Sequence, residues 1–183
     1  LDRLFRDALH AGKKARTETA IGESPASVSS AAAALAEQVF GDLNGRRVLV
    51  IGAGEAGELA IKSLRARGAD IGFVANRTRE RADELTRLHG GDALALEDVA
   101  RNLGHVDVVL SSTTSPDWTL TRGEVQAALH ARRGRPLFLI DLAVPRDLDP
   151  AIHELEGCYL YDIDDLQAVG GAASEARAPR LIE

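Results

Sequence analysis

An α/β fold with a doubly wound, mostly parallel sheet is what these 183 residues predict, on three observations. From residue 47 onward, short apolar runs alternate with stretches of helical period, which is how a parallel sheet and its covering helices are laid out along a chain. The first of these runs ends directly in Gly52-Ala53-Gly54-Glu55-Ala56-Gly57, and a helix opens inside that string. Hydrophobic residues are 45% and charged residues 27%, and a chain of this length buries a core without covalent staples. The expected arrangement is Rossmann-like, with flanking N-terminal helices and the start of a C-terminal helix.

Each element has a local reason. Residues 2–13 place Leu4, Phe5, Ala8 and Leu9 on one helical face, and 17–24 have no periodicity and read as a linker. An Ala-rich helix follows over 27–40, closed by Gly41. After the turn signal Asn44-Gly45, Arg47 to Ile51 reads as a buried strand. Glu55 to Arg67 is a helix stopped by Gly68, Ile71 to Ala75 a strand, and Arg79 to His89 a helix broken by Gly90-Gly91. Ala93 to Leu96 reads as a short strand, followed by a short helix to Leu103. Val106 to Leu110 is a strand, Thr121 to Arg132 a helix, Pro136 to Asp141 a strand, and Tyr159 to Asp162 the last strand. From Gly170 the chain reads as a weak helix.

Composition excludes several classes. No apolar run approaches the ~20 residues of a membrane span, and the first residues hold no apolar signal core, so a cytoplasmic location is expected. One cysteine, Cys158, excludes an internal disulfide and a four-cysteine zinc site. The absence of Met leads to the expectation of a piece of a longer protein. The net charge is −6, and its acidic excess falls at the C-terminal end: residues 141–183 carry 3 basic and 10 acidic side chains. No basic stripe marks a nucleic-acid face, so none is expected to be bound directly.

The chemistry is expected in the glycine string. Gly52 permits a tight turn, Gly54 lets backbone approach a pyrophosphate, and Gly57 lets helix and strand lie close. Ala53, Glu55 and Ala56 complete the loop, and the helix start offers free N–H groups and a positive dipole end to phosphates. An NAD-specific site would place a carboxylate at the end of the next strand. Here the residues are Asn76, Arg77 and Thr78, which read as a pocket for the 2′-phosphate of NADP, with Thr78 also able to cap the helix that follows. After the fourth strand, Ser111, Ser112 and Thr113 either line the nicotinamide-ribose region or form a polar loop closed by local turn bonds. Asp141 and Arg146 read as structural pairing rather than as substrate contacts. Cys158 reads as a buried, inert thiol, its pKa raised by acidic neighbours. No His group has metal-ligand spacing, and no catalytic residue is assigned.

Seven segments resemble glutamyl-tRNA reductases: Gly12-Lys-Lys-Ala-Arg-Thr-Glu-Thr19, Ser27 to Ala32, Val48 to Glu55, Val74 to Thr78, Val108 to Thr113, Arg135 to Asp147 and Tyr159 to Leu166. The glycine string and the Asn-Arg-Thr element are shared with shikimate dehydrogenases, while the segments around 12–32 and 135–147 discriminate. The resemblance implies a role in tetrapyrrole biosynthesis. A cysteine of an N-terminal domain takes the glutamyl group from charged tRNA, and the thioester accepts hydride from NADPH to give glutamate-1-semialdehyde. It also implies a homodimer. Under it, residues 1–41 are a helical connector, 42–165 the NADP-binding domain and 166–183 the start of a linker helix. Cys158 does not inherit the nucleophile's role. A shikimate-dehydrogenase-like oxidoreductase domain and a non-catalytic dinucleotide-binding module remain the alternatives.

Overall fold

A computed structural model describes residues 25–166. The expected helix at 2–13, the linker at 17–24 and the tail beyond Leu166 lie outside the described residues. Six strands form one parallel sheet: β1 Arg47–Ile51, β2 Asp70–Ala75, β3 Asp92–Leu94, β4 Val108–Ser111, β5 Leu137–Asp141 and β6 Cys158–Asp162. Their order is β3-β2-β1-β4-β5-β6, so the winding direction reverses between β1 and β4. The helices are α1 Pro25–Phe40, α2 Glu55–Ala66, α3 Arg79–His89, the single turn α4 Val99–Asn102, and α5 Arg122–Ala131.

The four inner strands, β1, β2, β4 and β5, are buried on both faces, and their side chains alternate between two cores. Val48, Val50, Val108, Leu110, Phe138 and Ile140 meet Ala60, Ile61 and Leu64 of α2 and Ala82 and Leu85 of α3. Leu49, Ile51, Val109, Leu137 and Leu139 face the other way, onto Val99 of α4 and Val125 and Ala128 of α5. This is the period of two expected of a pleated strand. Each fully buried Val, Leu, Ile or Phe stabilises the fold by about 1.5–3 kcal/mol relative to leaving it exposed.

α1 belongs to the first of these cores. Ala32, Ala36, Val39 and Phe40 are buried there, and the Phe40 ring meets Phe138 of the sheet edge-on with centroids 6.0 Å apart. Ser29 Oγ donates to the Ala56 carbonyl at 3.0 Å, tying α1 to the first turn of α2. The helix ends where Gly41 N–H returns to the Glu37 carbonyl at 2.7 Å.

Boundaries differ from expectation where side chains compete with the ladder. β4 begins at Val108 rather than Val106, because Asp107 is engaged with Arg47: its N–H donates to the Arg47 carbonyl at 2.8 Å and its Oδ2 accepts Arg47 N–H at 3.1 Å. The Val106 carbonyl is taken by the buried Arg132 side chain. β3 ends at Leu94, and Leu96 leaves the sheet in a 3₁₀ turn, Leu96–Asp98. A further 3₁₀ turn, Pro150–Glu154, was not expected; Asp149 caps it, accepting Ala151 N–H at 2.9 Å. No described helix is long and apolar enough to cross a membrane.

Candidate functional site

At the carboxyl ends of β1, β2 and β4, where the winding reverses, lies a cleft of about 380 Å³. Three loops build it. The first is the glycine loop between β1 and α2. Gly52 N–H donates to the Ala75 carbonyl at 2.8 Å, and Ala53 N–H donates to Asn76 Oδ1 at 3.2 Å, so this loop hangs from the end of β2. Gly52 has φ +104°, and a Cβ there would stand 2.7 Å from the Ser112 carbonyl oxygen. A Cβ on Gly57 would overlap the Gly52 carbonyl oxygen and lie 3.1 Å from Ser112 Oγ. Both glycines are therefore demanded by the fold itself. Gly54 is different: its φ is −88°, and a Cβ there would meet nothing within 4 Å. It is the N-cap of α2, and Glu58 N–H is the first donor to bond back to it, at 3.0 Å. The preceding N–H groups of the helix have no partner within α2 and add to its positive end.

The second loop joins β2 to α3. Asn76 is structural as well as lining: besides accepting from Ala53, its Nδ2 donates to the Thr78 carbonyl at 2.9 Å. Thr78 is the N-cap of α3, but its side chain makes no capping bond, which corrects the expected cap and leaves the hydroxyl uncommitted. Arg77 and Arg81 both line the cleft. No ion pair among the described residues engages either, whereas Arg79, on another face, reaches Asp83 at 3.4 Å. Two guanidinium groups, one on the β2–α3 loop and one in the first turn of α3, without carboxylate partners among the described residues, suit a phosphate. Arg81 was missed in the sequence: Arg77 lies before the helix, so no helical spacing joins the two, and only the fold brings them to one cleft.

The third loop follows β4 and contributes Ser112, Thr113, Thr114 and Ser115 to the cleft. Ser112 Oγ is buried and has no hydrogen-bond partner. It is packed against Gly52 and Gly57, and a buried hydroxyl without a partner costs free energy. Ser111 is not in the cleft: it is fully buried and its Oγ donates to Asp147 Oδ2 at 2.7 Å. Of the other expected residues, Gly52, Ala53, Gly54, Asn76, Arg77, Thr78, Ser112 and Thr113 come together on the cleft wall, while Glu55, Ala56 and Gly57 lie in the first turn of α2 behind it.

The lining holds five hydroxyl side chains and two arginines, with no Cys, His, Lys or carboxylate to act as nucleophile or proton carrier. Cys158 is buried, and burial pushes its thiol up to about 12, with Arg132 acting in the opposite sense. The direction agrees with expectation, but burial rather than acidic neighbours is the cause. Cys158 pairs with Leu137, the first residue of β5, and so sits at the end of the sheet remote from the cleft. Asp141 and Arg146 are structural. Asp141 accepts three backbone N–H groups and Arg146 pairs with Asp162. No group of His, Cys, Asp and Glu among the described residues could hold a metal ion.

Residues 34–169 match the family model described as Shikimate / quinate 5-dehydrogenase. A glutamyl-tRNA reductase of Rubrobacter xylanophilus is 51% identical over 100% of this chain and 45% of its own length. The solved glutamyl-tRNA reductase of Methanopyrus kandleri superposes with a TM-score of 0.73 at 42% identity, over 91% of this chain and 42% of that one. A nucleotide-binding domain of the Thermoplasma volcanium glutamyl-tRNA reductase shares the fold, with a TM-score of 0.56 at 13% identity over 79% of this chain and 91% of that one. The chain thus spans about half the length of the curated relatives it matches.

Proposed function

The chain belongs to the Shikimate / quinate 5-dehydrogenase family, in the form carried by glutamyl-tRNA reductases, and from that premise we propose that it is the domain that holds NADPH in such a reductase. The observation that carries the reading is the cleft: an open Gly54 at the start of α2 and, on the same cleft, two arginines that no ion pair among the described residues engages. The pyrophosphate is assigned to Gly52–Gly54 and the helix start behind them. The 2′-phosphate is assigned to Arg77, Arg81 and the free Thr78 hydroxyl, and the nicotinamide half to the wall of Thr113, Thr114 and Ser115. When bound, the cofactor supplies a hydride. The residues of this cleft orient it, and its lining holds no thiol to capture an acyl substrate.

Acyl capture is therefore assigned to the remainder of the parent enzyme, which would reduce glutamyl-tRNA to glutamate-1-semialdehyde in the cytoplasm, as a homodimer, on the way to tetrapyrroles. In this reading residues 1–41 connect to that remainder, 42–165 bind the dinucleotide and 166–183 start a linker helix. The packing of α1 on Phe138 means that part of the connector is built into the binding domain.

Titration of the chain with NADPH and NADH tests the assignment. NADPH should bind more tightly by about 1.5–3 kcal/mol, the range for hydrogen bonds to charged groups. Arg77→Ala and Arg81→Ala should each remove part of that preference while leaving NADH unchanged. Equal affinities for the two would remove the 2′-phosphate pocket.

A further inference from the structure

Building on the dinucleotide reading, we propose that Asp147, which does not line the cleft, is the positioning residue for its nicotinamide-side wall. Asp147 is fully buried, and its carboxylate takes three donors from the end of β4 and the loop that follows it. Ser111 Oγ donates to Oδ2 at 2.7 Å, Thr113 N–H to Oδ2 at 2.6 Å, and Thr113 Oγ1 to Oδ1 at 2.5 Å. Its carbonyl takes Thr119 N–H at 2.6 Å and Thr119 Oγ1 at 3.2 Å. One residue therefore clamps both ends of the segment 113–119, and the part between the clamps carries Thr113, Thr114 and Ser115 into the cleft.

Asp147 is itself held. Asp141, the last residue of β5, accepts Asp147 N–H and Leu148 N–H on Oδ2, each at 2.9 Å, and Ala143 N–H on Oδ1 at 3.0 Å. The loop after β5 is thereby folded back under the loop after β4, and Leu120 bridges to Leu148 beside it. Simple loop closure needs no buried carboxylate, because apolar packing achieves it without desolvating a charge. A carboxylate with three directed donors instead fixes one geometry of the wall. The other end of the cleft, at Asn76, Arg77 and Thr78, makes no bond to Asp147. Asp147 should thus govern one half of the ligand and not the other.

The probes are NADPH and adenosine 2′,5′-bisphosphate, which carries the 2′-phosphate but no nicotinamide. Trp118, the only tryptophan, lies within the clamped segment, so energy transfer from it to reduced nicotinamide reads the wall directly. Asp147→Ala should weaken NADPH about tenfold or more, the size of one lost bond to a charged group. Its bisphosphate affinity should stay within about twofold, with less energy transfer at saturation. Asp147→Asn keeps an acceptor for Thr113 N–H and should recover most of the loss. Ser111→Ala removes one of the three donors without touching the cleft, and should cost NADPH alone roughly threefold. It decides the matter should Asp147→Ala not fold. Equal weakening of both probes, or of neither, in the folded variants overturns the positioning role. A wild-type chain that binds neither probe overturns the dinucleotide reading, and this inference with it.

Discussion

Replacing Gly54 by valine separates the binding role of the glycine loop from its structural role. The backbone there is φ −88° and ψ −176°, an extended conformation that valine adopts without strain. A Cβ meets nothing within 4 Å, so the unliganded fold has no clash to relieve. Valine is a poorer N-cap than glycine, at about 0.5–1 kcal/mol, which lowers the melting temperature of a chain this size by roughly 1–4 °C. The new side chain fills the space assigned to the pyrophosphate. NADPH at a hundredfold excess over its Kd stabilises a binding-competent chain by about 2.7 kcal/mol, or roughly 5–11 °C. In Gly54→Val that shift should vanish. Gly57→Ala is the contrasting case: its Cβ overlaps the Gly52 carbonyl oxygen, which cannot move without displacing β1 or α2. Overpacking of this kind costs about 1–3 kcal/mol, part of it offset by the ~1 kcal/mol helix advantage of Ala over Gly. Thermal melts with and without NADPH, followed by circular dichroism, read all three chains. A Gly54→Val chain that keeps the full ligand-induced shift would refute the placement of the phosphates at this loop.

Arg132 is fully buried and donates to the Leu103, Val106, Arg135 and Pro136 carbonyls. A lysine cannot reach all four, so Arg132→Lys should destabilise the fold by about 2–4 kcal/mol in denaturant melts yet leave NADPH affinity unchanged. With its thiol pushed up to about 12, Cys158 should resist alkylation at pH 8 in the folded chain and react once the chain is unfolded; rapid native labelling would contradict its burial. Burial lifts the Asp141 carboxyl above its ordinary 3.8, with N–H bonds from Leu148 and Ala143 opposing. Its folded pKa exceeds its unfolded one, so its contribution to stability is fully present below the ordinary value and is lost as pH rises through the folded pKa. A carboxyl-carbon NMR titration should place the Asp141 midpoint above 3.8, and a midpoint at or below it would contradict this.

The fold was legible because its information is local. β1, α3 and the β1–α2 turn fall where periodicity and glycines put them, since a strand buried on both faces is apolar at every position from Val48 to Ile51. The glycine loop and the Asn76-Arg77-Thr78 element were each legible as a short local string, and the structure brings the two strings, some twenty residues apart in the chain, together on one cleft. What escaped depends on contacts between segments far apart. Ser111 looks like a lining hydroxyl until Asp147, 36 residues later, claims it. Arg132 is, in the sequence, only the last residue of a helix, and nothing near it shows that the chain brings the Leu103, Val106 and Pro136 carbonyls around its side chain. The short run Asp141–Asp147, with apolar residues between its carboxylates, carries no periodicity to show which way those carboxylates turn. Only the parallel register of β4 and β5, with Ser111 opposite Asp141, brings the two strand ends and their loops side by side. A buried carboxylate pays its desolvation cost only where donors converge, and here the convergence is set by that register rather than by neighbours in the chain.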